Sequence, residues 1–78
     1  MPTVLRERGF EVRIYTFDHP PPHVHVAKAG AIVRIDLATC SVTEIIGQIS
    51  DRDVKRAEQL VGRNAGQLLE AWETIHGD

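Results

Sequence analysis

At 78 residues, with 42% hydrophobic and 26% charged side chains, the chain has room for one domain and the composition of a folded one, which argues against disorder despite the proline run. Residues 1–40 carry five bases and four acids, whereas residues 41–78 carry four bases and seven acids. A near-neutral front and an acidic rear lack the clustered basic excess of a protein that holds nucleic acid by its phosphates, so bulk charge argues against that partner while leaving a local patch open.

No apolar stretch approaches the length of a membrane span and no signal-peptide pattern opens the chain, so a cytoplasmic protein is expected. Cys40 is alone, which excludes an internal disulfide and fits a reducing compartment. It lacks a matched base at a known spacing and is not read as a nucleophile.

In chain order, strand signals come first. Thr3 to Arg6 is a short extended segment, and Gly9 separates it from Phe10 to Thr16. In that second run Phe10, Val12 and Ile14 alternate with polar residues, the period of a half-buried strand. Pro20 to Pro22 cannot donate ladder hydrogen bonds and must lie in a connection. The next strand is therefore expected from His23 to Lys28, followed by a turn at Ala29-Gly30 and a strand from Ala31 to Leu37 that puts Val33, Ile35 and Leu37 on one face. Val42 to Ile46 is a further strand candidate with an irregular apolar pattern before Gly47.

Helix signals begin at Ser50, an N-cap residue followed by Asp51 and Asp53, with Val54, Ala57, Leu60 and Val61 on one face. Gly62 is expected to end this helix. Asn64, with Gln67 three residues on, then reads as the capping box of a second, striped by Ala65, Leu68, Leu69, Trp72 and Ile75. The expectation is a single α+β domain over 1–78, strand-rich in 1–46 and helical in 50–77. Its small antiparallel sheet of three to four strands is covered on one face by two C-terminal helices.

Chemistry concentrates in Asp18-His19-Pro20-Pro21-Pro22-His23-Val24-His25-Val26, which holds three of the four histidines and three of the four prolines. Strand alternation places His23 and His25 on one face. A two-residue turn at Ala29-Gly30 would pair Lys28 with Ala31, Val26 with Val33, Val24 with Ile35 and His23 with Asp36. That register sets both histidines on the face of Arg34 and Asp36, opposite the hydrophobic layer.

Several uses of this face stay open. As a metal site it offers His23 and His25 as neutral imidazole ligands, with His19, Asp18 or Asp36 as the third, for a divalent ion such as zinc. As an acid/base pair the same histidines would serve a phosphodiesterase or ribonuclease, with Arg13 or Arg34 stabilising charge; on that reading His23, His25, Asp36 and Arg34 are the catalytic candidates. A purely structural role for the histidines at a clamped strand start is the third reading. The histidine-triad pattern of nucleotide hydrolases is rejected, because Ala27 stands where another histidine is needed. A DNA-reading helix pair is rejected too: the second helix carries Glu70 and Glu73 and no Arg or Lys.

The opening Met1-Pro2-Thr3-Val4-Leu5-Arg6, the proline-histidine run, and the ending Leu68-Leu69-Glu70-Ala71-Trp72 together resemble the small prokaryotic family catalogued as domain of unknown function 4160. The resemblance implies a free-standing one-domain protein of a family without an established activity, whose members are suspected of belonging to toxin-antitoxin-like gene pairs. A third proline lengthens the usual spacing after the first histidine, so a role carries over to His19 less directly than to His23 and His25. With this context, small size and the acidic rear half point to a protein-interaction module, acting on a protein partner or a second copy of itself, with the histidine face as its surface.

Overall fold

The computed structural model describes residues 3–77. Met1, Pro2 and Asp78, part of the expected domain and of the opening motif, lie outside the described residues. Five strands, β1 (Thr3–Glu7), β2 (Phe10–Arg13), β3 (His23–Lys28), β4 (Ala31–Asp36) and β5 (Val42–Ile46), precede two helices, α1 (Asp51–Arg63) and α2 (Ala65–His76). The strands form one antiparallel sheet in the order β1-β2-β3-β4-β5, each hydrogen-bonded to its sequence neighbour.

The α+β layout is as expected, but the sheet has five strands rather than three to four. The two segments with the weakest strand signals, β1 and β5, both form, as the edges of the sheet. β5 leaves Thr43, Glu44, Ile45 and Ile46 exposed, so no buried face imposed alternation on its sequence.

Two tight turns set the register. Ala29 and Gly30 both have positive φ, 48° and 86°, as do Arg8 and Gly9, 51° and 84°. Positive φ at both central residues is the mark of a type I′ hairpin, whose twist matches that of the strands. The β3–β4 register follows as expected, with Lys28 opposite Ala31, Val26 opposite Val33, Val24 opposite Ile35 and His23 opposite Asp36.

The sheet's inner face supplies Phe10, Val12, Ile14, Val24, Val26, Val33, Ile35 and Leu37 to one cluster, closed by Ala57, Leu60 and Val61 of α1 and Leu68 and Trp72 of α2. Full burial of each larger side chain contributes roughly 1.5–3 kcal/mol. This cluster is what fixes the helices to the sheet and so sets the position of Trp72 at the start of β3.

Ser50 caps α1 as expected, its Oγ accepting from Asp53 N at 3.1 Å. Gly62 does not end the helix, which runs to Arg63. Asn64 closes it instead: its Nδ2 donates to Leu60 O at 2.8 Å and its backbone N–H to Val61 O. The expected capping box is absent, since Asn64 makes no side-chain cap bond to α2. With only Asn64 between the helices, its amide satisfies the carbonyl behind it and is not available to the N–H groups ahead.

Candidate functional site

The chain leaves β2 through Ile14 and turns at once. Asp18 N donates to Tyr15 O at 3.1 Å, and Tyr15 N donates to Asp18 Oδ2 at 3.1 Å, so the turn is closed by backbone and side chain together. That double closure fixes the Asp18 carboxylate beside the start of β3. The proline run follows, with a cis peptide between Pro20 and Pro21, and delivers the chain to His23.

Three ligand-type atoms converge there. His23 Nε2 lies 3.5 Å and His25 Nδ1 3.7 Å from Asp18 Oδ2. All three atoms fall within 4.8 Å of one another, the one such group of His, Cys, Asp or Glu side chains among the described residues. In a tetrahedral zinc site with bonds of 2.0–2.1 Å, neighbouring ligand atoms stand about 3.3 Å apart. The separations of 3.5 and 3.7 Å are close to that edge.

Hydrogen bonding sharpens the chemistry. His23 Nδ1 sits 2.9 Å from Pro21 O, and since a carbonyl only accepts, that nitrogen carries the proton. In the neutral ring Nε2 then presents a lone pair to a carboxylate, two acceptors facing each other. Only a cation between them, a proton or a metal ion, makes this arrangement favourable. A backbone carbonyl on the far ring nitrogen is also the usual support of a metal-ligating histidine.

His25 Nδ1 is buried and has no hydrogen-bond partner. Its pKa is held below the usual imidazole value of 6.5, first by burial and then against the opposing pull of Asp18, with His23 and Arg34 lowering it further and Glu44 raising it. A ring that resists protonation is suited to donating a lone pair.

Aromatic groups close the site. The Tyr15 ring meets His25 edge-on at 5.2 Å, His23 meets His25 at 5.2 Å, and Trp72 covers His23 at 5.2 Å. His76 stacks on Trp72 at 3.8 Å, with Nε2 3.0 Å from Tyr15 O and Nδ1 3.1 Å from Trp72 O. The end of α2 is thereby tied to the turn that carries Asp18.

Of the residues expected at the site, the structure brings together His23, His25 and, from the three options for a third ligand, Asp18. His19 is exposed and outside the group. Asp36 stands opposite His23 in the register, but its Oδ1 accepts from Ala38 N at 2.7 Å and Thr39 N at 3.3 Å, which holds the β4–β5 turn. The carboxylate beside His23 is Asp18. His23 is also only 3% exposed, not part of an open polar face, because Trp72 reaches past the strand start to cover it.

Tyr15, Trp72 and His76 had no place in the expected site. Trp72 reads only as core on its helical stripe, and His76, fifty-one residues beyond His25, gives no local signal at all.

The match to the model for the family described as Domain of unknown function (DUF4160) covers residues 9–73. The chain belongs to this family. No curated protein and no solved structure matches it. The matched segment of this DUF4160 chain contains Asp18, His23, His25 and Trp72 and ends before His76.

Proposed function

We propose that this DUF4160 protein binds a divalent transition-metal ion through Asp18 Oδ2, His23 Nε2 and His25 Nδ1. The observation that carries the reading is the convergence of Asp18, His23 and His25 ligand atoms within 4.8 Å of one another, with His25 Nδ1 buried and unpartnered among them. Two imidazoles and one carboxylate suit zinc, and equally iron(II) or cobalt(II), better than calcium or magnesium, which prefer all-oxygen shells. Three protein ligands leave at least one coordination position for water or a further ligand.

The reading is tested by calorimetric titration of zinc, manganese and nickel into wild type, Asp18→Asn and His25→Gln, with metal analysis of each. One equivalent of zinc is expected in wild type, with affinity at least tenfold lower in each variant. A wild type that takes up no metal, or variants that bind as well as wild type, would overturn it.

A second reading is protein association, within a two-gene regulatory or toxin-antitoxin-like module. It is favoured by Phe17, 91% exposed at the tip of the Asp18 turn, beside an apolar groove formed with Val4, Ile14 and Ile75. Its test is the mass in solution, alone and co-expressed with the product of the neighbouring gene: a monomer in both conditions removes it.

A further inference from the structure

Reading the register across all five strands gives one continuous row: Thr3 opposite Arg13, Arg13 opposite His25, His25 opposite Arg34, and Arg34 opposite Glu44. Residues directly opposite share a face of the sheet, and by alternation this is the face turned away from Val12, Val24 and Ile35. Three buried side-chain atoms among the described residues lack a hydrogen-bond partner: Thr3 Oγ1, His25 Nδ1 and Arg34 Nε. All three lie in this row.

An unsatisfied buried polar group costs roughly 1–3 kcal/mol, so three on one line mark a place where an outside partner is missing. Their chemistry defines that partner. Arg34 Nε–H and the Thr3 hydroxyl can both donate, and a metal ion at His25 accepts lone pairs, so all three positions seek acceptor oxygens.

The two arginines differ. Arg13 is held by Glu11, with Nη2 2.9 Å from Oε1, and its Nη1 donates to Tyr15 Oη at 3.5 Å. Arg34 makes no ion pair among the described residues, and Glu44 across from it does not approach within bonding distance. Its guanidinium therefore remains free for an anion, one strand spacing, about 4.8 Å, from His25.

We propose that the row seats a phosphoryl group of a phosphate ester, with one oxygen on the metal held by Asp18, His23 and His25 and another on Arg34. This rests on the metal reading above. With both ligating rings neutral, the formal charges of Asp18, Glu11 and Glu44 balance those of Arg34, Arg13 and Arg6, the last paired with Glu11 at 3.4 Å, so this face is neutral without the metal and two positive with it. Binding of the anion is accordingly metal-dependent. The rest of the ester lies along Arg13 toward the Thr3 hydroxyl.

The experiment uses the full chain loaded with cobalt(II), whose visible spectrum reports both loading and changes in the metal's ligands. Inorganic phosphate and acetate are titrated into wild type, Arg34→Gln and Arg34→Lys. Cobalt affinity within twofold of wild type in both variants shows that the fold and the metal ligands are intact. Phosphate is expected to perturb the wild-type spectrum and to bind at least tenfold more weakly in Arg34→Gln, with partial recovery in Arg34→Lys and weaker binding of acetate throughout. Cobalt loading with phosphate affinity unchanged by Arg34→Gln, or with acetate binding as tightly as phosphate, overturns this proposal and leaves the metal reading standing. A wild type that does not load cobalt removes both.

Discussion

His25 combines three properties seldom found in a surface imidazole: a ring nitrogen without a partner, a carboxylate 3.7 Å away, and a pKa lowered chiefly by burial. The lowered pKa has a consequence for stability in the metal-free protein. Below the unfolded value of about 6.5 the unfolded chain takes up the proton more readily than the folded one, so His25 erodes stability as the pH falls through 6.5, and the loss levels off below its folded value. Urea unfolding of chelator-treated protein between pH 8 and pH 5 is expected to show a steeper loss in wild type than in His25→Gln. Parallel curves would show that burial of this ring carries no such linkage.

At the level of elements, the site depends on hairpin register, and register depends on turns. A one-residue slip between β3 and β4 would put His25 and Arg34 on opposite faces of the sheet. The β3–β4 turn holds this register with a suboptimal residue, since Ala29 has φ 48° and a non-glycine residue there costs roughly 1–2 kcal/mol. Asparagine tolerates that conformation and is the favoured partner of glycine in a type I′ turn. Ala29→Asn is expected to stabilise the protein by about 0.5–1 kcal/mol, read as a higher urea midpoint at unchanged slope. A lower midpoint would show that the turn is not under this constraint. The register was legible in the chain because valines and isoleucines had to meet; the fifth strand, Val42–Ile46, was legible only as a candidate, because an exposed edge needs no alternation.

Across the whole molecule, a chain of this size buries only about 60% of its unfolded surface. Here the sheet keeps both edge strands, β1 and β5, uncovered by further strands, with Ile45 and Ile46 exposed on the latter. Open edges and exposed apolar side chains are the usual starting points of association. Phe17 adds a large apolar side chain, whose burial against a partner would contribute about 1.5–3 kcal/mol. If association runs through this surface, light scattering should give a dimer or a cognate complex for wild type and a mass shifted toward monomer for Phe17→Asp. An unshifted mass would place any interface elsewhere.

The sequence by itself determined the strand-then-helix order, the inward-facing residues of β2, β3 and β4, the Ser50 cap, and the pairing of His23 and His25 on one side of a strand. Each of these follows from local periodicity or from a single side chain's bond to its own neighbourhood. Only the tertiary structure decided that Asp18, rather than His19 or Asp36, stands with the two histidines, because that choice turns on how the Tyr15–Asp18 turn closes and on Asp36 being drawn into a turn of its own. It alone placed Trp72 over His23 and extended the row that His25 shares with Arg34 through Arg13 to Thr3. Those contacts join residues up to sixty-one positions apart, His76 to Tyr15 being the longest of the site. They are fixed by the packing of α2 against the sheet, which no local pattern encodes.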